Sequence, residues 1–245
     1  MRKHVANTKK EHKDRIRWRG HEVTRIEALS DAVFAFAITL LIVSLEVPKD
    51  FEELLAGMRT FFPFAVCFFM LFQVWLIQNI FFRRYNLHDQ WTIVLNGMLL
   101  FVVLFFVYPL KFLFSAWMTT GFFFKEPEQV VQLFQIYSSG FAAIYILFSL
   151  MYYHAYRKRE ELELTDSEVF ETRTNIYRNM VMAGIGLLSV MIASLGVQYV
   201  GMSGFIYILI GPAIAVTHSR RGKIHRLRFE TTPTAQEPPE AEKAE

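Results

Sequence analysis

The chain has 245 residues, of which 53% are hydrophobic and 20% are charged, and its formal net charge is +3. Long apolar runs take up most of the sequence, so no polar stretch remains that is long enough to build a large soluble domain. The single cysteine, Cys67, excludes an intrachain disulfide. This composition is typical of a membrane protein made of apolar helices.

The first apolar segment, residues 25–47, combines the length of a membrane helix with ionisable and hydroxyl side chains. It contains no Gly or Pro, and the run Ala32–Leu45 is too long for a half-buried strand. We therefore predict that the segment crosses a bilayer as a helix. Asp31 then lies inside or just below the hydrocarbon, where an ionisable group is costly and marks a candidate functional site.

Five further apolar runs follow, each near the length that a membrane helix needs. Together with the first segment they predict an all-α polytopic membrane protein, whose six transmembrane helices occupy residues 24–218. The last run is the shortest, and it contains two glycines and a proline. The five runs are Ala56–Phe82, Trp91–Ala116, Val131–Tyr156, Ile176–Gln198 and Met202–Thr217.

Lys and Arg residues concentrate on one side of the predicted bundle. Residues 1–24 carry eight of them, and the connections after the second, fourth and sixth helices are also basic. The positive-inside rule therefore places both termini and these connections in the cytoplasm of a multi-pass plasma-membrane protein. Residues 219–245, which end in Pro- and Glu-rich sequence, are predicted to be a disordered cytoplasmic tail. Residues 1–23 form a basic cytoplasmic segment, which is better explained by contact with anionic lipid headgroups than with nucleic acid.

The predicted first helix has two different faces. At about 100° per residue, Phe36, Leu40 and Val43 fall on one apolar stripe, and the Thr39 hydroxyl lies about 60° to one side. Asp31 lies about 140° from Phe36, on the far side of the helix. An apolar stripe alone is typical of helix packing, but a carboxylate buried on the same helix favours a functional interpretation.

Asp31 needs hydrogen-bond donors if it lies in the membrane, because an unpaired charge in hydrocarbon costs several kcal/mol. Polar side chains on the first three predicted helices lie at a similar depth, near the cytoplasmic ends. We predict that they form a network that holds three helices together, and we favour this structural role over a proton relay. The candidate members besides Asp31 are Arg25, Ser30, Trp75, Gln78, Asn79 and Asn96.

The run Arg25-x-x-x-Leu29-Ser30-Asp31 resembles the Arg-x-x-x-Phe-Ser-Asp signature of the transmembrane protein 175 family of potassium channels. The apolar sequence that follows it is similar to the first helix of that family. Leu29 replaces the signature Phe, which exchanges one apolar side chain for another. Six helices with cytoplasmic termini also fit the single-copy prokaryotic members of the family.

The resemblance continues beyond the first helix. Trp75 with polar residues one turn later, and Asn96 with Pro109 in the third helix, are similar to the family pattern. Gln78 and Asn79 stand where relatives usually carry histidine, so a protonation-linked role of that histidine is absent here, although polar bonding can persist.

The resemblance implies a homotetramer in which the first helix of each subunit lines a central pore. It implies a potassium-selective or potassium-preferring cation channel, with Phe36, Leu40 and Val43 at the constriction and Thr39 in a hydroxyl layer beside them. The chain has no Thr-Val-Gly-Tyr-Gly filter, which excludes selection by rings of carbonyls. The physical alternative is a narrow apolar constriction that gates by dewetting, with hydroxyls assisting a partly hydrated ion.

Two other classes of membrane protein remain to be weighed. A secondary transporter or proton-linked permease usually has interrupted helices at the bilayer midplane, whereas the first helix contains no Gly or Pro. A membrane enzyme needs a nucleophile, metal ligands or an acid–base pair, and Asp31 has no catalytic partner in the sequence. We therefore predict no enzymatic activity, no cofactor and no bound metal beyond potassium ions in transit.

Overall fold

The computed structural model describes residues 18–20, 22–43, 49–59, 61–120, 127–212, 214–215 and 219. Every regular element in this part of the chain is helical, and the α-helices are numbered here in chain order. Short 3-10 turns at Val197–Tyr199 and Ile206–Leu209 flank the last α-helix. The helices are α1 (Arg25–Val43), α2 (Phe51–Arg59), α3 (Phe61–Tyr85), α4 (Gln90–Thr120), α5 (Pro127–Arg157), α6 (Asp166–Ser194) and α7 (Val200–Phe205).

Four of these helices, α3 to α6, are long and apolar enough to cross a membrane, which agrees with a polytopic helical protein. α1 has 19 residues, and the remainder of its predicted segment, residues 44–47, lies outside the described residues. The sixth predicted helix corresponds to a shorter apolar stretch, Val197–Pro212, which contains α7 and the 3-10 turns. The count of six spans therefore stays a prediction.

The boundaries of α6 differ from the predicted run for local reasons. The helix begins at Asp166 because a capping box forms in polar sequence: the Thr165 hydroxyl accepts from the backbone N–H of Glu168, whose carboxylate accepts from the N–H of Thr165. It ends at Ser194, close to Gly196, whose φ of 129° suits glycine and is strained for other residues. The predicted second run is likewise divided between two helices, α2 and α3.

α5 and α6 pack as a close antiparallel pair. The hydroxyls of Ser138 and Ser189 hydrogen-bond across the pair at 2.8 Å. A Cβ atom at Gly186 would lie 3.0 Å from the Cβ of Ala142 and 3.2 Å from its Cα. The absence of a side chain at Gly186 therefore lets the two backbones approach, as small residues do in membrane helix pairs.

Charged and polar contacts join the helices at the end of the bundle where α3 ends and α6 begins, called here the basic end. The Arg19 guanidinium donates two hydrogen bonds of 3.0 Å to the Glu168 carboxylate, and Arg84 forms an ion pair with Glu171. The backbone N–H groups of Arg19 and Gly20 both donate to the carbonyl of residue 83, at 3.0 and 3.1 Å. Arg19, which precedes α1, is thus bonded to both α3 and α6.

Asp89, just before α4, joins that helix to the end of α5. Its carboxylate accepts from the Thr92 hydroxyl at 2.7 Å and contacts His154 Nε2 at 2.8 Å. Partial burial acts to raise the pKa of Asp89, but the hydrogen bonds from Thr92 and His154 outweigh burial, so the pKa lies below its ordinary value. The folded state therefore favours the charged carboxylate.

Replacing Gly186 tests the close contact between α5 and α6. Gly186→Leu should lower the free energy of unfolding by about 1–3 kcal/mol, because its side chain would collide with the α5 backbone. Thermal unfolding of the detergent-purified protein measures this. Gly184→Leu is the matched control on the same helix, since a Cβ there meets nothing within 4 Å. Similar melting temperatures for both variants would contradict the packing described.

The lowered pKa of Asp89 predicts an acid-dependent loss of stability. A carboxyl with a depressed folded-state pKa stabilises the protein above its unfolded pKa, and this contribution is lost as the pH falls through the folded pKa. Asp89→Asn should cost roughly 1 kcal/mol at pH 7 and have a smaller effect below about pH 4. Melting temperatures at both pH values give the measurement.

The matched control for that experiment is Glu163→Gln, because Glu163 is exposed and forms no ion pair among the described residues. It should change the melting temperature little at either pH. An Asp89→Asn penalty that is equal at both pH values would show that the carboxylate charge does not contribute.

Candidate functional site

The buried face of α1 consists of Ser30, Phe34, Ala37 and Leu41, each 2% exposed or less. Their spacing of four, three and four residues puts them on one side of a helix. Through this side α1 packs against α3 and α4, and it makes no close approach to α5 or α6 within the described ranges. The rotational position of α1 in the chain is therefore set by its contacts with two helices.

A chain of hydrogen bonds connects the three helices at this contact. Gln78 Nε2 on α3 donates to Asn96 Oδ1 on α4 at 2.6 Å, and Asn96 Nδ2 donates to Ser30 Oγ on α1 at 3.0 Å. The Ser30 hydroxyl in turn donates to the backbone carbonyl of Ile26 at 2.7 Å. Ser30, Gln78 and Asn96 are all almost fully buried, so these bonds satisfy groups that water does not reach.

Asp31 belongs to a separate contact. Its carboxylate accepts a hydrogen bond of 2.7 Å from Trp75 Nε1 on α3. Residue 31 is about 100° from Ser30 around α1, and it is exposed in the single chain whereas Ser30 is buried. A neutral hydrogen bond therefore connects α1 to α4, and a hydrogen bond to a carboxylate connects α1 to α3.

Two of the seven residues grouped by sequence lie outside these bonds. Asn79 follows Gln78 and so points about 100° away from it around α3, where it makes none of these contacts. Arg25 is the first residue of α1 and is exposed. The structure thus joins Ser30, Gln78 and Asn96 in one chain of bonds and Asp31 and Trp75 in another.

The predicted pore stripe lies on the exposed side of α1. Phe36 is 58% exposed and Leu40 is 38% exposed in the single chain. Thr39 is also exposed, and its hydroxyl donates to the carbonyl of Ala35 at 2.8 Å, which leaves the oxygen lone pairs for another donor or a cation. Val43 ends α1, and its side chain lies outside the described residues.

Sequence reasoning did not assign a role to Lys111. Its ammonium donates a hydrogen bond of 3.4 Å to the carbonyl of Leu41, in the last turn of α1. A cation there offsets the negative end of the helix dipole and holds the end of α1 against α4. The available signal was a single Lys within an otherwise apolar helix.

The described part of the chain contains no cluster of three or more His, Cys, Asp or Glu side chains that could hold a metal ion. The structure is a bundle of membrane-length helices. One of its helices is polar-bonded on one side and exposes apolar and hydroxyl groups on another, and together these features define a polytopic membrane protein.

Residues 25–109 match the family model described as the endosomal/lysosomal potassium channel TMEM175. A protein of Marivirga tractuosa named potassium channel is 41% identical over 216 residues, which cover 81% of this chain and 87% of the relative. A potassium channel of Chamaesiphon minutus is 30% identical over 142 residues, covering 55% of this chain and 66% of that protein. The chain belongs to the TMEM175 family, which is a family of ion channels and not of enzymes.

Solved structures agree with this membership. An alanine variant of the potassium channel MtTMEM175, bound to a Nanobody-MBP fusion protein, has a TM-score of 0.77 and 37% sequence identity, covering 85% of this chain and 97% of that one. A homologue, from Chamaesiphon minutus, of the lysosomal potassium-selective channel TMEM175 has a TM-score of 0.54. At 23% identity, with 79% of this chain and 96% of that chain covered, it shows a shared fold.

Removal of Asn96 tests the buried chain of bonds. Asn96→Ala should leave Gln78 Nε2 without its acceptor and Ser30 Oγ without its donor, and lower the free energy of unfolding by about 1–2 kcal/mol. Asn79→Ala removes the same functional group from a position outside the network, so its effect should be much smaller. Thermal unfolding in detergent compares the two. Equal losses would mean that the Asn96 bonds do not hold the helices together.

Proposed function

We propose that this chain forms a potassium channel in which four copies surround a central pore lined by α1 of each subunit. The observation that carries the proposal is the position of Phe36, Thr39 and Leu40, which are exposed on α1 while its other side packs inside the subunit. One helix cannot enclose a pathway for ions, so a symmetric oligomer is needed to close the pore. Membership of a potassium-channel family supports potassium as the permeant ion.

The apolar groups of this face supply the barrier to ions. Phe36 and Leu40, with Val43 as the next residue of the stripe, would form a narrow ring that excludes water in the closed state. When the ring widens enough to be hydrated, the Thr39 hydroxyl beside it offers an oxygen to a partly dehydrated cation. Selectivity for potassium then depends on the Thr39 layer and the ring width.

The polar contacts orient the pore helix. Ser30 with Asn96 and Gln78, and Asp31 with Trp75, restrain α1 at one end, so rotation about its axis would break directional hydrogen bonds. Lys111 restrains the other end. Arg25 is exposed at the start of α1, and Asn79 lies next to the network; we assign neither a bond within it. In this proposal the network is structural and sets the angle at which Phe36 and Leu40 face the pore.

The charge pattern supports a plasma-membrane protein with six spans and both termini in the cytoplasm. In that orientation the basic end of the bundle faces the cytoplasm, and residues 1–23 lie beside anionic headgroups, which attract each Lys or Arg by about 1 kcal/mol. Residues 219–245 extend from the same side as a polar tail. The pore then runs from the start of α1, at the basic end of the bundle, to the end of α1, near Lys111.

Substitutions on the proposed pore face should change potassium flux into liposomes. Leu40→Asn should raise flux several-fold, because an amide hydrates the apolar ring. Thr39→Val keeps the side-chain shape and removes the hydroxyl, so it should reduce the preference for potassium over sodium. Both fluxes are measured with opposing potassium and sodium gradients.

Ile38→Val is the control on the half-buried side of the same helix and should leave flux unchanged. The channel mechanism fails if Leu40→Asn and Thr39→Val change nothing, or if Ile38→Val changes flux as much as they do. Flux that saturates with potassium concentration and requires a counter-transported proton would instead favour a secondary transporter.

A further inference from the structure

A groove with a volume of about 720 Å³ lies between α3 and α6, and residues of α4 and α5, with residues 210 and 214, complete its wall. Its lining on α3 extends from Phe62 to Ile80, a rise of about 27 Å and so close to the thickness of the hydrocarbon core. Phe69, Ile77 and Met182 are typical of the apolar side chains that line it. The groove therefore lies at membrane depth, along helices that are themselves long enough to cross a bilayer.

Arg178 is the charged side chain on the described wall of this groove. It is half-buried, and it forms no hydrogen bond or ion pair with the described residues, while other arginines at the basic end are engaged by Glu168, Glu171 and Tyr156. The sequence of α6 becomes apolar at Ile176, two residues earlier, so Arg178 lies near the boundary between headgroups and hydrocarbon. A cation at this depth needs an anion.

One kind of membrane molecule, a lipid, has groups that match both the Arg178 cation and the apolar lining of the groove. A phospholipid has a phosphate at the boundary and an acyl chain that extends into the hydrocarbon, whereas inorganic phosphate has no apolar part to fill the groove. A guanidinium binds phosphate through two parallel hydrogen bonds, which suits the single Arg at this level. We propose that the groove between α3 and α6 binds an anionic phospholipid, with its phosphate on Arg178 and an acyl chain along α3.

Lipid binding to the purified full chain tests the proposal directly. The delipidated protein is titrated with phosphatidylglycerol and bound lipid is counted by native mass spectrometry. Arg178→Gln should weaken binding about tenfold, the loss of one charge-assisted contact, and Arg178→Lys should weaken it less. Arg173→Gln is the matched control: it removes the same charge from α6 at an exposed position engaged by Tyr156, and it should leave binding unchanged.

A second variant tests the apolar part of the site. Ala65 lines the groove near the start of α3, whereas Arg178 lies on α6 at the other end of the groove. Ala65→Trp therefore fills the groove and leaves the charge in place. It should reduce bound phosphatidylglycerol, and an excess of inorganic phosphate should not displace the lipid from the unmodified protein. These measurements need no ion flux, so their failure is separate from failure of the proposed channel activity.

Three results would overturn the lipid site. Binding by Arg178→Gln equal to that of the unmodified protein would show that Arg178 does not hold the phosphate. An equal loss in Arg173→Gln would indicate general electrostatic attraction to the basic end. If Ala65→Trp dissociates the oligomer and leaves lipid binding unchanged, the groove is an interface with a second copy of the chain.

Discussion

The fold of this protein depends on a requirement of the bilayer, which is that buried polar groups find partners within the protein. The amide of Asn96 meets that requirement twice, by accepting from Gln78 and donating to Ser30. Because these bonds are directional and fully buried, they define which side of α1 faces α3 and α4. The side of α1 that carries Phe36 and Leu40 is exposed because the hydrogen-bonded side faces α3 and α4.

The contacts at the basic end extend the same restraint to the outer helices. Arg19 binds the carboxylate of Glu168 and, through its backbone, the end of α3, while Tyr85 and Thr172 hydrogen-bond at 2.7 Å between α3 and α6. α5 and α6 form a close pair through Ser138 and Gly186, apart from α1. In the proposed channel α1, α3 and α4 form a pore-facing unit and α5 and α6 form an outer pair, and the proposed lipid groove lies between α3 and that pair.

The sequence predicts the helices better than it predicts their partners. Apolar runs predicted six membrane helices, of which four, α3 to α6, are long and apolar enough to cross a membrane within the described residues. The polar residues of α1, α3 and α4 were recognisable by type. The starting residue of α6 depended on the Thr165–Glu168 capping box, which lies in polar sequence outside the apolar run. Pairing could not be predicted: Arg19 and Glu168 are separated by 149 residues, and only the folded bundle brings them together.

The sequence also could not show which of two neighbouring polar residues joins the buried hydrogen bonds. Gln78 and Asn79 have the same chemistry, yet a rotation of 100° per residue buries the first against Asn96 and leaves the second outside that contact.

The central claim, that the exposed sides of α1 from neighbouring subunits face one another, is tested most directly by cross-linking. With Cys67 replaced by alanine, Leu40→Cys protein in liposomes is treated with a short bifunctional thiol reagent, and Met191→Cys on the exposed side of α6 is the control. We predict covalent dimers and larger species from position 40 and monomers from position 191. Monomers from position 40, or cross-links from position 191 alone, would contradict a pore lined by α1.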